Sequence, residues 1–235
     1  MRLDKFLGSC GIGSRKQLKE YIKNGMVCVD GNVITKPEFS VDPTINEIIF
    51  SGESLTSDYK EFRYYLLNKP QGVVSATKDN HDKTVLDLID IGFDNNLAPV
   101  GRLDKDTEGL LIITNDGKLA HRLLSPKKHV EKEYEVHTAR VISDFDLKKL
   151  EEGVDIGDDE PTLPAKAFIE DVNGEAVLHL IIHEGRFHQV KRMLEAIGNE
   201  VTFLKRIRMG GLVLDPTLAP GEYRELTDEE LDLLK

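Results

Sequence analysis

The sequence predicts an α+β protein, in which a small module of two helices and a hairpin precedes a larger domain of alternating strands and helices. Two stripes of apolar residues with helical spacing lie within residues 1–24, and a strand–turn–strand pattern follows at residues 26–34. The rest of the chain alternates short apolar runs with further helical stripes. The polar residues 51–61 have little periodicity and are predicted to form a linker, which gives domains at residues 1–58 and 59–235.

The N-terminal module is predicted from its periodicity and its turns. Leu3, Phe6 and Cys10 follow the helical period and form one apolar face of a first helix. Ser14 begins a second helix, and Gln17 completes a capping box with it. A strand, an Asp-Gly turn and a second strand follow. The second helix also has a positively charged face, formed by Arg15, Lys16, Lys19 and Lys23.

In the larger domain, strands are indicated by β-branched and apolar composition, and helices by apolar stripes. The strands are predicted at residues 64–67, 73–75, 110–114, 134–137 and 177–183. The helices are predicted at residues 119–124, at residues 190–197 and after Thr227, where Glu230 completes another capping box.

Charge is segregated along the chain, although the net charge of −11 is acidic. Residues 1–24 hold six Lys and Arg against two Asp and Glu, and residues 183–211 hold six against three. Acidic residues are concentrated at residues 144–171, where we expect positions 151–160 to form a solvated loop. Because a phosphate responds to the potential within roughly 8–10 Å, the acidic total does not exclude a nucleic-acid partner.

Several classes of protein are excluded by simple features. No apolar run approaches the ~20 residues that a membrane span requires. The charged N-terminus lacks the apolar core of a signal peptide, so we expect a cytoplasmic protein. Cys10 and Cys28 do not have the spacing of metal ligands, so we expect reduced thiols and no metal site.

The loop at residues 101–111 is the strongest candidate for a catalytic segment. It is charged, is bounded by glycines and leads directly into an apolar strand, and loops on rigid strands often hold catalytic side chains. Asp104 lies in this loop between Arg102 and Lys105. Without further support, a solvated loop with no catalytic role is the simpler explanation of the segment.

Three other segments contain polar residues among structural signals. Lys191 lies at the edge of the apolar stripe of its helix, from which it can pair with a carboxylate or extend along the surface. Residues 68–72 form a turn between two strands, and Tyr134 places one aromatic ring in a charged strand. Taken singly, each of these features is compatible with a purely structural role.

Together, the four segments resemble the bacterial ribosomal RNA pseudouridine synthases. The matching motifs occur in the order of the family, as KPxG at 69–72, GRLDxxTxGLL at 101–111, KxY at 132–134 and EGRxHQVKRM at 184–193. The N-terminal module is similar to an S4 RNA-binding domain, through RLDKFL at 2–7, SR at 14–15 and GxVxVDG at 25–31. The resemblance covers nearly the whole chain and implies a catalytic domain built on a mixed, mainly antiparallel sheet flanked by helices.

The resemblance also implies the reaction and its residues. The N1–C1′ bond of a uridine is broken, the uracil turns, and C5 is joined to C1′, without a cofactor or a metal. Asp104 is implied as the catalytic carboxylate, Lys191 as the cation that pairs with it, and Tyr134 as the active-site tyrosine. A carboxylate suits the charge that develops at C1′, although attack at C1′, attack at C6 and proton abstraction all stay open. The residues implied to contact RNA are Arg2, Lys5, Ser14, Arg15, Lys16, Lys19, Lys23, Lys69, Arg102, Arg186, His188, Gln189 and Arg192.

The expected partner is ribosomal RNA, bound by a monomer, either free or within an assembling small subunit. The HQVK motif at 188–191 and the LAPGEYR segment at 218–224 resemble the small-subunit branch of the family, which implies uridine 516 of 16S rRNA as the target. Three alternatives remain: a large-subunit 23S rRNA synthase, a non-catalytic rRNA-binding assembly protein, and a nucleosidase that uses Asp104 with Asp106.

Overall fold

The computed structural model describes residues 1–56, 60–89, 96–172 and 174–234. The described residues divide into two compact units. The N-terminal unit holds those up to Arg63 together with residues 96 and 97, and the sheet unit holds residues 64–89 and those from residue 98 onward. The predicted domain boundary between positions 58 and 59 lies outside the described residues. Within the described ranges, every helix is too short or too polar to cross a membrane.

The N-terminal unit begins with two helices, as predicted, α1 at Leu3–Ser9 and α2 at Arg15–Lys23. Ser14 and Gln17 form the expected capping box at the start of α2. The two helices are followed by a four-stranded sheet in the order β2-β1-β3-β4, with β1 at Val27–Val29, β2 at Asn32–Val33, β3 at Ile48–Phe50 and β4 at Glu53–Ser54. The core between them contains Leu3, Phe6, Leu7, Leu18, Ile22, Val27, Val29, Val41 and Ile48.

The linker prediction was wrong for part of residues 51–61. Strand β4 lies there and pairs with β3 through a tight turn at Ser51 and Gly52, both of which have positive φ. Both residues of β4 are exposed, so no alternation of apolar and polar positions was present to indicate a strand. Residues 57–59 lie outside the described residues.

The sheet unit is built on one mixed sheet, in which the main strand order is β13-β5-β7-β11-β8-β10-β9. Only the β7–β11 pair is parallel among the described strands. The strands are β5 at Tyr64–Lys69, β6 at Ala98–Pro99, β7 at Glu108–Thr114, β8 at Lys132–Thr138, β9 at Lys166–Val172, β10 at Glu175–Ile182, β11 at Val201–Met209, β12 at Leu212–Val213 and β13 at Tyr223–Glu225. The helices are α3 at Gly117–Leu124, α4 at Asp144–Glu152, α5 at Gln189–Ala196 and α6 at Asp228–Asp232, and short 3₁₀ turns occur at Val85–Leu88 and Pro126–Lys128. This arrangement confirms the predicted fold class.

The predicted strand at residues 73–75 does not form. Val74 makes only an isolated bridge with Thr84, and the side chain of Ser75 bonds instead to the backbone of Leu103. The segment therefore supports the 101–111 loop rather than extending the sheet. Among the longer elements, strands β9 and β11 and helix α4 were not predicted, because charged residues interrupt their apolar patterns.

The centre of the sheet is tightly packed where β7 meets β11. Gly109 has a φ of +103°, and a Cβ atom at this position would collide with the backbone carbonyl oxygen of Arg206. The guanidinium of Arg206 is buried and donates from Nε to the carbonyl oxygen of Leu110 at 2.8 Å. Because the 101–111 loop runs directly into β7, this packing fixes the base of the loop.

Candidate active site

An open cleft in the sheet unit brings together three of the four motif segments. It contains about 70 Å³ of open space, room for roughly five water molecules, and so suits one small group rather than an extended ligand. Charged and polar side chains from the 101–111 loop and from α5 face apolar residues of β10 and β11. The lining residues are Arg102, Leu103, Asp104, Thr107, Tyr134, Ile182, Gly185, Arg186, His188, Gln189, Val190, Lys191 and Leu204.

Asp104 and Lys191 meet in this cleft, although 86 residues separate them in sequence. The Nζ atom of Lys191 lies 3.2 Å from Oδ2 of Asp104 and 2.6 Å from Oδ1 of Asp106. On the other side of Asp104, Nε2 of His188 lies 3.6 Å from Oδ1. The side chain of Asp104 is 28% exposed, whereas that of Asp106 is 68% exposed, so Asp104 is the carboxylate that faces the partly enclosed space.

The ammonium group of Lys191 and the carboxylate of Asp106 stabilise each other's charged forms. Burial acts to lower the pKa of Lys191, but hydrogen bonds to Asp106 and Asp104 outweigh burial and the net shift is upward. The hydrogen bond from Lys191 likewise lowers the pKa of Asp106. At neutral pH the site therefore holds an ammonium group beside negative charge, in a partly dry cleft.

Tyr134 lies on the floor of the cleft with 8% of its surface exposed. Its strand β8 is central, and Tyr134 is paired with Leu180 of β10 and with Arg206 of β11. Neighbours on both sides hold the backbone of this strand, so the ring position is set by rigid elements rather than by a loop.

The loop that carries Asp104 is held from within the protein. The buried ammonium of Lys69 donates to the carbonyl oxygens of Asp104 and Thr107, both at 2.9 Å, and of Pro70 at 3.0 Å. The backbone N–H of Gly72 also donates to the carbonyl oxygen of Lys105 at 2.7 Å. The KPxG turn thus supports the loop through its lysine and its glycine.

Comparison with known proteins agrees with this geometry. The model of the RNA pseudouridylate synthase family matches residues 63–196, and that of the S4 domain matches residues 1–44. The chain belongs to the RNA pseudouridylate synthase family. The first match covers more than half of the chain and includes all four motif segments.

Relatives of the synthase align with it over nearly its whole length. The RNA pseudouridine synthase YtzG of Bacillus subtilis (strain 168) is 54% identical, over 100% of this chain and 98% of the relative. Ribosomal small subunit pseudouridine synthase A of Escherichia coli (strain K12) is 41% identical, over 98% of each chain. A crystal structure of a pseudouridylate synthase is 38% identical, covers 100% of both chains and superposes with a TM-score of 0.69.

The structure does not support the predicted RNA contact of Lys69 in the synthase. Its side chain is fully buried, and all three hydrogen bonds of its ammonium go to backbone carbonyls. Burial lowers the pKa of Lys69 to about 8, against the opposing effect of Asp104, Asp106 and Glu108. A group placed in this way positions the loop and cannot reach a phosphate.

Three other residues predicted to contact RNA make hydrogen bonds or ion pairs within the protein, namely Arg186, Gln189 and Arg192. Gln189 is 4% exposed, accepts from the backbone N–H of Arg186 and donates to Glu184, so its side chain holds the turn that precedes α5. Arg186 pairs with Glu184 and lies 3.5 Å from Asp158. Arg192 donates to the carbonyl oxygen of Ile156 and pairs with Asp158. RNA contacts by these side chains would require these bonds to be exchanged.

These contacts also correct the expectation for the acidic residues 151–160. Asp158 holds Arg192 and lies within ion-pair distance of Arg186, and the hydrogen bond from Arg192 lowers the pKa of Asp158. The carbonyl oxygens of Ile156 and Glu160 accept from the same two guanidinium groups. Part of the segment therefore holds the side chains of Arg186 and Arg192 in place and is not a free loop.

The predicted RNA-binding residues of the N-terminal unit lie on its surface. Ser14 is the N-cap of α2, and Arg2 pairs with Asp4 at 2.7 Å. In the sheet unit, Arg102 is exposed at the cleft and has no ion-pair partner among the described residues. The other basic residues predicted to bind RNA in the N-terminal unit are all exposed, namely Lys5, Arg15, Lys16, Lys19 and Lys23.

Sequence reasoning missed two features of the site. Asp106 entered only as part of a nucleosidase alternative, yet it makes the shorter bond to Lys191. Its spacing of two from Asp104 was a signal that both carboxylates can reach one cation. The role of Lys69 had no signal in sequence, because it depends on which residues surround the side chain after folding.

Proposed function

We propose that this synthase isomerises uridine 516 of 16S ribosomal RNA to pseudouridine. The assignment to ribosomal RNA rests on the name of the Escherichia coli relative, which aligns over 98% of both chains. The HQVK motif and the LAPGEYR segment favour the small-subunit target over the large-subunit one. The proposed enzyme acts as a monomer, without a cofactor or a metal, in the cytoplasm where ribosomal RNA is made. Its proposed domains are residues 1–58 for RNA binding and 59–235 for catalysis.

The observation that carries the catalytic proposal is the 3.2 Å separation between Lys191 and Asp104 in a cleft floored by Tyr134. A carboxylate that stabilises an electron-poor ribose carbon must remain ionised while water is excluded around it. The ammonium group of Lys191 offsets the cost of that desolvation. Asp104 is thus placed beside its counter-ion, where it can act on the target nucleoside.

In the proposed reaction, the uracil keeps all of its atoms except one proton. The N1–C1′ bond breaks, the base turns within the cleft, and a C5–C1′ bond forms. The proton leaves C5 and N1 gains one, so the product is an isomer of the substrate. Asp104 supplies the negative charge, and the ring of Tyr134 stacks on the base while it is detached.

The target base must leave its stack before it can enter the cleft, which costs a few kcal/mol. Arg102 is the proposed side chain that fills the space left by the base or contacts its phosphate, since it is exposed at the cleft without an ion-pair partner among the described residues. The basic face of α2 supplies sequence-independent affinity for the folded RNA.

Two alternatives are disfavoured by particular observations. A nucleosidase that uses Asp104 with Asp106 needs one protonated carboxylic acid, but Lys191 bonds to both groups and lowers the pKa of Asp106. A non-catalytic assembly protein would have no requirement for a carboxylate, an ammonium group and a phenol around one small cleft.

Release of tritium from RNA labelled at C5 of uridine tests the proposal. The purified protein is incubated with 16S rRNA and, separately, with 23S rRNA, and pseudouridines are then mapped in both. We expect tritium release from 16S rRNA with a single new pseudouridine at position 516. Modification of 23S rRNA alone would show that the target lies in the large subunit. Release of free uracil from the RNA would identify a nucleosidase.

A further inference from the structure

Phe187 and His188 form a pair of stacked rings at the rim of the cleft. Their ring centroids are 3.8 Å apart, and their planes are inclined by 18°. The His188 ring is next to Asp104, with Nε2 3.6 Å from Oδ1. Phe187 is the outer ring and is 70% exposed, more than any other phenylalanine of the described residues. The pair thus reaches from the carboxylate to the solvent.

A single exposed phenylalanine needs no explanation, but the backbone turn that carries this one is held by several bonds. His188 has a φ of +49°, a left-handed conformation that costs energy for a residue with a side chain. Arg192 donates from Nη1 to the carbonyl oxygen of Phe187 at 3.1 Å and is itself bonded to Asp158. Gln189 accepts from the backbone N–H of Arg186 at 3.0 Å. The turn is therefore rigid, although its most apolar side chain points to water.

On this basis, and resting on the proposed RNA substrate, we infer that Phe187 is a stacking platform for the nucleobase next to the target uridine. Removing the uridine from its stack leaves a neighbouring base without a partner on one face, and an exposed aromatic ring can replace that partner. Stacked bases are spaced by roughly 3.4 Å, so a base on the outer face of Phe187 would extend the pair by one layer.

The charges around the platform favour a base over a phosphate. The nearest lysine and arginine side chains in sequence are already bonded to carboxylates, Arg186 to Glu184, Lys191 to Asp106 and Arg192 to Asp158. The outer face of Phe187 offers a π surface without a free charge, and stacking of this kind tolerates any base. The platform consequently adds affinity and fixes the direction of the strand, while the identity of the flanking base is read elsewhere.

The first test is binding of a 16S rRNA fragment that contains the target uridine, with 2-aminopurine in place of each flanking base in turn. We expect the fluorescence of 2-aminopurine at one flanking position to be quenched by the wild-type chain, and the quenching to be lost in Phe187→Ala. Quenching that persists in Phe187→Ala at both positions would overturn the inference.

The second test separates stacking from general loss of affinity. Phe187→Ala should weaken RNA binding and raise KM by about 5- to 150-fold, with kcat nearly unchanged, because stacking is worth that factor per base. Phe187→Trp should retain binding, and Phe187→Leu should behave like the alanine variant. The salt dependence of binding should keep its slope, since no phosphate contact is removed. A fall in kcat at unchanged KM would overturn the platform and indicate an effect through His188.

A matched control and a modified substrate complete the design. Phe145 of α4 is 66% exposed and does not line the cleft, so Phe145→Ala should bind RNA like the wild type. When the flanking base is replaced by an abasic site, the penalty of Phe187→Ala should disappear; a penalty that persists would overturn the inference. Tritium release by the wild-type chain is measured in parallel, so that failure of the platform is distinguished from failure of the proposed reaction.

Discussion

The Nζ atom of Lys69 lies 2.9 Å from the backbone carbonyl oxygen of Asp104, so a buried cation holds the chain at the residue whose carboxylate faces the cleft. The contact couples the KPxG turn to the GRLD loop through the backbone of Asp104, so the carboxylate of Asp104 is left to face the cleft. Loss of this contact would displace the backbone of Asp104 before it disturbs other parts of the fold.

Replacement of Lys69 by methionine should lower both stability and activity. The substitution leaves the buried carbonyl oxygen of Thr107 without its donor and that of Asp104 with only the backbone N–H of Thr107, at a cost of about 2 kcal/mol. We expect a reduced kcat together with a reduced denaturation midpoint, measured by urea unfolding and by tritium release. A variant with full activity at wild-type stability would contradict the positioning role.

The same lysine gives a pH dependence with a defined sign. Burial lowers the pKa of Lys69 to about 8, from an ordinary value of 10.5. Folding therefore favours its neutral form, and the penalty for burying the charge is complete below pH 8 and is relieved as pH rises towards 10.5. The stability of the wild type relative to Lys69→Met should rise through this window. Activity should fall over the same range, because a neutral amine has only two hydrogens for three carbonyl oxygens.

Substitution of Asp104 by asparagine should lower turnover by roughly 10³-fold or more, because the amide keeps the shape of the carboxylate but not its charge. RNA binding should stay close to that of the wild type. The exposed Asp106 provides the matched comparison, and Asp106→Asn should cause a much smaller loss. Pseudouridine formation by Asp104→Asn at a wild-type rate would remove Asp104 from the reaction.

Lys191→Ala should lower kcat by roughly 10²- to 10³-fold without unfolding the protein. Loss of the ammonium leaves Asp104 and Asp106 close together without the cation that they share. Carboxylates in that arrangement take up protons more readily, so the acidic limb of the pH–rate profile should move to higher pH. Stopped assays between pH 5 and 8 measure this limb, and an unchanged profile would argue against the pairing.

The basic face of α2 should control affinity through salt. Changing Arg15, Lys16, Lys19 and Lys23 to glutamine should reduce the slope of log K against log salt by about 0.7–0.9 for each phosphate contact that is lost. Lys148 of α4 is 72% exposed and serves as the control for removing a surface charge. Deletion of residues 1–58 should weaken binding further and leave the sheet unit folded. Equal affinities across a salt titration would count against an RNA-binding role of this unit.

Asp146 should contribute to stability in a pH-dependent way. The hydrogen bond from Arg140 and the backbone of Ser143 hold the pKa of the Asp146 carboxyl well below its ordinary value. A lowered pKa means that the stabilisation is present above about pH 4 and is lost as pH falls through the folded value. Asp146→Asn should therefore lower Tm by about 5 °C at pH 7. The difference from wild type should narrow towards pH 2, and Asp144→Asn is the matched control.

Much of the fold was predictable where one face of an element is apolar. The stripe that runs from Val190 to Ile197 predicted α5, and the capping boxes at Ser14 and Thr227 predicted the starts of α2 and α6. Edge strand β9 was not predictable, because six of its seven residues are exposed or partly exposed, with polar and apolar side chains in mixed order. Strands at the edge of a sheet do not have to alternate as buried strands do.

The candidate site was predictable only in part. The order of the motifs pointed to Asp104, Tyr134 and Lys191, and the structure places all three at one cleft. The interior position of Lys69 and the use of Asp158 to hold Arg192 were not predictable. Both depend on pairings between distant segments, which periodicity and spacing do not specify.

The close approach of Gly109 to Arg206 affects the order in which the folding chain gains RNA binding and catalytic activity. The bond from Arg206 to Leu110 joins positions 96 apart, and parallel pairing of this kind must wait until the intervening chain is in place. The segment holding Asp104 leads into this pair, so its final shape depends on a contact that cannot form until the chain extends to β11. A nascent or partly refolded chain would accordingly bind RNA through its N-terminal unit before it could convert uridine to pseudouridine.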